Sequence, residues 1–247
     1  MTSVLLYSHL GLGDQIICHG IVRDYCTRFT HVTILAAPQT LASVSFMYRD
    51  IKNLEIIPCS HIEAPHFLAR HKDKFDSIQK IGFELLNRTS GVSVERQFYA
   101  LANVVFEKKW TSFQVQRDLI REQNLYNRIA PPKPYIFLHE DQERNFTIKR
   151  RRISTTLPHI APNTGFTDNI FDYGKIIESA SEVHVIDSSF MFLIDCMPYQ
   201  TSGQTLFVHR YARPNSEWHL PTLRKKWKIL GSSKMNLFQR IVRKIRR

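Results

Sequence analysis

Short apolar runs alternate with stretches of helical periodicity along the first half of the chain. The runs have the length and the β-branched content of buried strands, and they are Val4–Tyr7, Val32–Ala36 and Leu54–Pro58. Between and after them, apolar residues recur at spacings of three and four, which predicts helices from Asp14 onward and over 38–47, 75–86 and 94–107. Strands that alternate with helices favour an α/β fold in which a parallel sheet carries helices on its faces.

The proline-rich run Pro131–Pro134 interrupts this alternation. Proline fixes the backbone and lacks an N–H donor, so the run is predicted to be a linker. A second series follows it, with strands predicted at 135–138, 159–161, 182–186 and 206–208 and helices at 169–180 and 190–196. We therefore predict two β/α units, residues 1–130 and 131–217, followed by a basic tail over residues 218–247.

Charge adds a contrast between the body of the chain and its C-terminus. The protein has 34 Lys and Arg residues against 22 Asp and Glu, a net charge of +12. Ten of the basic residues and no acidic residue fall within 218–247, which leaves 24 basic against 22 acidic residues elsewhere. A nearly neutral body with 43% hydrophobic residues is typical of a globular protein. We expect neither a disordered chain nor a nucleic-acid partner.

The cysteines and the N-terminus predict a cytoplasmic protein. None of the four cysteines forms a C-x-x-C pair, so we expect reduced thiols and no metal site. The N-terminal sequence MTSVLLYSHL has no basic region before its short apolar run, and it is interpreted as a first strand and not as a signal peptide. No apolar run approaches the roughly 20 residues that a membrane span requires.

Candidate chemistry begins at the end of the first strand, in Gly11-Leu12-Gly13-Asp14-Gln15. Glycines allow a ligand to approach the backbone, and the start of a helix attracts anions. The third glycine of the dinucleotide fingerprint is missing, since Ile16 takes its place, and Asp14 opposes the binding of a phosphate here. Asp14 is either the N-cap of the helix or a general base that faces a cleft.

Two other predicted strands also end in polar residues. Ligands of open α/β sheets bind beyond the carboxyl ends of the strands. In Asp187-Ser188-Ser189, two hydroxyls and the amides at the start of a helix are suited to a phosphate or diphosphate, and the alternative is a plain serine cap. The second polar stretch runs from His139 to Arg144, where Arg144 is able to bind a phosphate and the alternative is a solvated loop. Weaker candidates are the basic run 149–152 and the side chains of His209, Tyr211 and Arg213.

In this order, the segments HLGLGDQIICHGIVRDYC and VHVIDSSFMFLIDCM resemble glycosyltransferase family 9, the heptosyltransferase-like enzymes. The first segment resembles the strand and small-residue turn that end in Gly-Asp in that family. The second resembles its donor-site segment, although Phe190, Met191 and Phe192 stand where the family usually has a histidine. The resemblance implies the GT-B architecture, in which two Rossmann-like domains face each other across a cleft.

The resemblance also implies roles for individual residues. By position, Asp14 becomes the catalytic base, while Ser188 and Ser189 become contacts of the donor diphosphate. The residues themselves add Asp187, Arg144 and His139 on the donor side and Gly11, Gly13 and Gln15 as acceptor-side or loop residues.

The implied reaction moves a sugar from a nucleotide diphosphate sugar to a hydroxyl of a glycan or lipid-linked acceptor. One base then suffices for an inverting transfer. The sequence contains no Asp-x-Asp motif, so we expect no metal and no cofactor besides the donor substrate. The alternative is a non-catalytic protein of the same fold that binds a nucleotide or a sugar phosphate.

Residues 233–247 combine apolar residues at helical spacing with six basic residues. A basic amphipathic helix of this kind lies in the interface of an anionic membrane, so we expect peripheral attachment to the inner face of the cytoplasmic membrane. Two alternatives are a helix packed back on the body and an arm that binds nucleic acid.

Overall fold

Two parallel sheets organise the chain in a computed structural model, which describes residues 2–87, 89–153, 156–199, 203–213 and 220–231. The first sheet has the order β3-β2-β1-β4, and its strands are β1 Ser3–Ser8, β2 His31–Ala36, β3 Leu54–Pro58 and β4 Ser77–Ile81. Every neighbouring pair in this sheet is parallel. Strands β1 and β2 are almost entirely buried, which explains why they appear in the sequence as continuous apolar runs.

Seven α-helices lie between β1 and β5 in the described residues. They are α1 Leu12–Ile17, α2 His19–Arg28, α3 Leu41–Met47, α4 Ala64–His71, α5 Val94–Leu101, α6 Lys108–Thr111 and α7 Leu119–Ile129. Helix α7 begins at the cap Asp118, whose side chain accepts a hydrogen bond from the Arg121 amide, and ends at Ala130 in the left-handed conformation. It precedes the proline-rich run that leads to the second sheet.

The second sheet has the order β6-β5-β7-β8-β9 and is also parallel throughout. Its strands are β5 Ile136–His139, β6 His159–Ile160, β7 Glu182–Val185, β8 Thr205–His209 and β9 Trp227–Leu230. Helices α8 Gly174–Ser179 and α9 Ser189–Cys196 belong to this half. The prediction of an α/β fold with parallel sheets is confirmed.

The helix predicted over 75–86 is wrong, and the helix predicted over 94–107 is too long. Residues 77–81 form strand β4 beside β1. The spacing of Ile78 and Ile81 suits a helix as well as a short edge strand with one fully buried residue, so it does not distinguish the two. The helix predicted over 94–107 ends at Leu101, since Asn103 has a φ of 51°, which no right-handed helix accommodates. Val105, which falls within the predicted helix, lies beyond the observed one and is exposed.

The first part of the predicted basic tail packs on the body. Strand β9 extends the second sheet beyond β8, although 206–208 was expected to be the last strand. The buried carboxylate of Asp195 accepts hydrogen bonds from the amides of Arg224 and Lys225 and from the indole of Trp227. The amphipathic stretch 233–247 lies outside the described residues.

One continuous core joins the two halves, and it includes Leu6 and Ile16 of the first half with Phe190 and Val208 of the second. Helices α1 and α9 form much of this junction. A β-carbon at Gly13 would lie 3.4 Å from the ring of Phe192, so the two helices approach closely at that point. In the described part of the chain, no helix has both the length and the apolar character that crossing a membrane requires.

Candidate functional site

A cavity of about 500 Å³ lies where strands of both sheets end. The loops after β1 and β4 line it from the first sheet, and the loops after β5, β7 and β8 line it from the second. In the second sheet, β5 and β7 are neighbours from which the strand order runs in opposite directions, and such switch points are where α/β sheets bind ligands. The cavity therefore lies at the position that sheet topology favours.

Asp14 and His9 form a close pair on one wall of this cavity. The Asp14 Oδ2 atom lies 2.6 Å from Nδ1 of His9, and this hydrogen bond, with the negative charge of Asp14, raises the pKa of His9. The interpretation of Asp14 as an N-cap is wrong, because Gly11 is the cap of α1 and Asp14 belongs to its first turn. A β-carbon on Gly11 would lie 2.9 Å from Oδ2 of Asp14, so the glycine makes room for the carboxylate.

Gly11 and Gly13 line the cavity, as predicted for that loop, but Gln15 does not. The Gln15 side chain is fully buried, and its amide nitrogen donates to Ser8 Oγ and to the carbonyls of His9 and Leu35. These bonds tie the loop after β1 to strand β2. Gln15 was predicted as an acceptor-side or loop residue. The structure places its side chain beneath the loop, on the buried face of α1.

Ser188, Ser189 and His139 also line the cavity. Ser188 is the N-cap residue of α9, yet its hydroxyl makes no capping bond and instead lies 2.9 Å from Nδ1 of His139. Burial lowers the pKa of His139 to about 4, so this imidazole is neutral at physiological pH. The first-turn amides of α9 are therefore not occupied by the Ser188 side chain.

Arg210 and Arg213 lie beside Asp187 in the same cavity. Arg210 forms an ion pair with the Asp187 carboxylate, and Arg213 donates to the Asp187 carbonyl oxygen. Burial lowers the pKa of both guanidinium groups, and the charge of a neighbouring arginine lowers it further in each case. Two mutually repelling cations that are partly withdrawn from water favour an anion between them.

Arg144 also lines the cavity, and its guanidinium and backbone amide bind the carboxylate of Asp141. The neighbouring Glu140 is occupied elsewhere, since it accepts from Arg150 at 2.7 Å and from the Ile148 amide. These bonds hold the pKa of Glu140 at about 2. The basic run 149–152 was a weak candidate for a diphosphate contact, and none of its residues lines the cavity.

Of the three candidates after β8, only Arg213 lines the cavity. His209 and Tyr211 belong to a buried chain of hydrogen bonds that passes through His184. The links are 3.0 Å from Tyr211 Oη to His209 Nδ1, 2.8 Å from His209 Nε2 to His184 Nδ1, and 2.9 Å from His184 Nε2 to Glu182. This chain connects β7 with β8 and leaves neither residue for a ligand in the cavity.

Three charged residues that line the cavity, His9, Glu95 and Arg210, were not predicted. His9 and Arg210 follow a strand directly, which is the signal that identified Asp187 and His139. The buried Glu95 lies on α5 and pairs with Lys109, so it carries no such signal. Among the described residues, no group of three or more His, Cys, Asp or Glu side chains is arranged to hold a metal ion, and metal independence stays a prediction.

Solved structures of glycosyltransferases share this fold. The E. coli ADP-heptose LPS heptosyltransferase II aligns with 100% of this chain and 98% of its own, with a TM-score of 0.58 and 11% sequence identity. A glycosyl transferase family 9 protein from Veillonella parvula aligns with 84% of this chain and 80% of its own, with a TM-score of 0.51 and 10% identity.

No family model matches the sequence, and no curated protein matches it. At identities of 10% and 11% the structural likeness shows the fold alone. The resemblance to glycosyltransferase family 9 is confirmed at that level. The chain has the parallel α/β fold of the heptosyltransferase-like glycosyltransferases.

Proposed function

We propose that the protein is a glycosyltransferase that moves a sugar from a nucleotide diphosphate sugar to a hydroxyl of a glycan or lipid-linked acceptor. One observation carries the proposal. Three arginines and two serines line the same cavity as the Asp14 carboxylate, and Asp141 and Asp187 pair with two of the arginines. The arginines and serines suit a leaving diphosphate, and the carboxylate suits proton removal from an acceptor. In this proposal the two sheets are the cores of two Rossmann-like domains, residues 1–130 and residues 131–217 with β9 added to the second, which face each other as in GT-B enzymes.

The proposed donor side combines the positive charge of arginines with hydrogen-bond donors at the start of α9. Arg210 and Arg213 are partly buried and repel each other, so a diphosphate between them would stabilise both. Ser188 and Ser189 stand at the start of α9, where backbone amides and the helix dipole bind phosphate oxygens. Arg144, Asp187 and His139 complete this side. Fixed donors aimed at the leaving diphosphate lower the barrier as its charge develops.

The proposed acceptor side lies at the first turn of α1. Asp14 lines the cavity from this helix, together with the side chains that we assign to the diphosphate. A single displacement needs a base to accept the proton of the attacking hydroxyl, and we assign this step to the group of side chains that contains the Asp14 carboxylate. The arginines supply the positive charge that the leaving group requires. We therefore propose an inverting transfer that is independent of metal ions.

The first donor to test is ADP-heptose, because the name of the E. coli structure that shares the fold specifies it. Nucleoside diphosphate release from ADP-heptose and from a panel of hexose donors is measured for the wild type and Asp14→Asn. We expect release by the wild type with at least one donor and a loss of about 100-fold or more in the variant.

Asp50→Asn is the matched control, since Asp50 pairs with Arg23, neither residue lines the cavity, and the loss of this pair should change turnover less than about two-fold. Turnover of Asp14→Asn within a few-fold of the wild type would overturn its role. Donor binding without release under every condition would support the non-catalytic alternative.

We also propose that residues 233–247 attach the protein to the cytoplasmic face of an anionic membrane. The sequence of this stretch supports the proposal through its apolar stripe and six basic residues, each worth roughly 1 kcal/mol near an anionic surface. Flotation with phosphatidylglycerol vesicles should be strong for the full chain and weak after deletion of 233–247. Equal flotation of the two proteins would contradict the attachment.

A further inference from the structure

The proposed transfer leaves one charged partner of Asp14 without a role. His9 follows β1 directly, and its Nδ1 atom lies 2.6 Å from Oδ2 of Asp14. The pair is formed at close range, because the missing side chain of Gly11 leaves room for both groups, at 2.9 Å and 3.1 Å from where its β-carbon would be. Both members of the pair line the cavity.

The hydrogen bond fixes which nitrogen of His9 carries the proton. An ionised carboxylate only accepts hydrogen bonds, so at 2.6 Å Nδ1 is the donor to Asp14. The Gly11 N–H also points to this nitrogen, at the longer distance of 3.3 Å, a contact that a protonated Nδ1 does not accept as a hydrogen bond. In the neutral ring, Nε2 then keeps its lone pair, and no described residue forms a hydrogen bond with it. The His9 side chain is 41% exposed, so a substrate hydroxyl has access to the ring.

We propose that Nε2 of His9 is the atom that takes the proton of the acceptor hydroxyl, and that Asp14 is the positioning residue that holds the ring. This inference rests on the proposed glycosyl transfer. The acceptor oxygen forms its bond to the anomeric carbon as the bond from that carbon to the diphosphate oxygen breaks. The diphosphate leaves with the electron pair, and the proton moves to Nε2, which makes His9 an imidazolium.

The charges around His9 suit this role. Asp14 of α1 and Glu84 of the turn after β4 raise its pKa, whereas burial lowers it. The His61 ring packs at 4.9 Å and the uncharged Phe83 ring at 5.0 Å. The other charged groups that line the cavity are those of Glu95, Asp141, Arg144, Asp187, Arg210 and Arg213. A base is most effective when its pKa lies near the working pH, and Asp14 stabilises the imidazolium as it forms.

The test combines histidine NMR with the pH dependence of nucleoside diphosphate release from ADP-heptose and the hexose donors. Ring ¹⁵N shifts of His9 should show a proton on Nδ1 of the neutral ring, and Asp14→Asn should lower the pKa of His9. His9→Gln should reduce kcat about 100-fold or more with KM for the donor within about three-fold. The acid limb of the wild-type kcat/KM profile should follow the pKa of His9 and be absent from this variant.

His66→Gln is the control, because His66 is exposed on α4 and does not line the cavity. It should retain wild-type kcat and the wild-type acid limb. A proton on Nε2 in the neutral ring, or a His9→Gln enzyme with kcat within about ten-fold of the wild type, would overturn the proposal. If no donor binds to any form, the proposed transferase itself fails, and the NMR result still reports on the pair.

Discussion

Gly11 shows how one missing side chain shapes the candidate site. Its backbone, with φ −66° and ψ 135°, is a conformation that any residue adopts, so the glycine is not needed for the turn itself. The need comes from the close approach of Asp14 and His9. The absence of a β-carbon therefore acts on the chemistry of the cavity more than on the fold.

Gly11→Ala should separate these two effects. The new β-carbon would push the Asp14 carboxylate away from His9, so the pKa of His9 should fall toward its ordinary value of 6.5 and donor turnover should drop about 10-fold. Histidine NMR and chemical denaturation give the two readouts. Gly13→Ala is the control for the pKa, since its β-carbon meets only ordinary contacts with α9. An unchanged His9 pKa in Gly11→Ala would contradict the steric explanation.

Residues at strand ends were the most predictable part of the site. Asp14, His139, Asp187, Ser188, Ser189 and Arg144 were chosen because each follows a strand, and all of them line the cavity. Their partners were not predictable, because the sequence does not show which way a loop side chain turns. The Gln15 side chain is buried, Glu140 pairs with Arg150, and His9 forms a hydrogen bond with Asp14.

At the scale of elements, the buried strands were predicted well, whereas only two of the four strands with little burial, β3 and β6, were predicted. Strands β1, β2, β5 and β7 are mostly buried, so their apolar runs are unambiguous. Strands β4 and β9 contain no more than one fully buried residue each. Pairing with a neighbour that is distant in sequence stabilises such edge strands, and local periodicity carries little information about that pairing.

The buried histidines predict how stability depends on pH. Burial lowers the pKa of His19, His139, His184 and His209 below 6.5 in the folded protein. The unfolded chain therefore takes up protons below about pH 6.5 that the folded state refuses, and the free energy of unfolding falls as the pH falls. His139 alone, with a folded pKa of about 4, accounts for about 2 kcal/mol between pH 7 and pH 5.

Urea denaturation at about pH 7.5 and about pH 5 measures this dependence. His9 acts in the opposite direction because its pKa is raised, but it is one group against four. His209→Gln removes one of the titrating groups and should make the pH dependence shallower. Equal stability of the wild type at the two pH values would contradict the assignment of these histidines as neutral in the folded state.

At the scale of the whole molecule, the alternation of strands and helices was enough to predict an α/β fold with parallel sheets. The contact between the two halves was not predictable in the same way. The α1–α9 junction and the shared cavity bring together residues more than half the chain apart, such as Gly13 and Phe192. Only their common position after parallel strands indicated that they would meet.

The net charge of +12 is unevenly distributed over the molecule, and only a few of its cations line the cavity. Residues 220–231, which carry four of the ten C-terminal basic residues, pack on the body through Asp195 and strand β9. Within the body, the arginines with the clearest functional placement are those around the cavity. The proposed function depends on these few cations and not on the overall excess.

Calorimetric titration with nucleoside diphosphates tests the central claim most directly. ADP, UDP, GDP, CDP and dTDP are titrated into the wild type, Arg213→Gln and the control Arg70→Gln, whose side chain lies on α4 away from the cavity. At least one nucleotide should bind the wild type, Arg213→Gln should weaken it about 10-fold or more, and the control should match the wild type. No binding of any of the five nucleotides, or equal affinity in Arg213→Gln, would contradict a diphosphate site in this cavity.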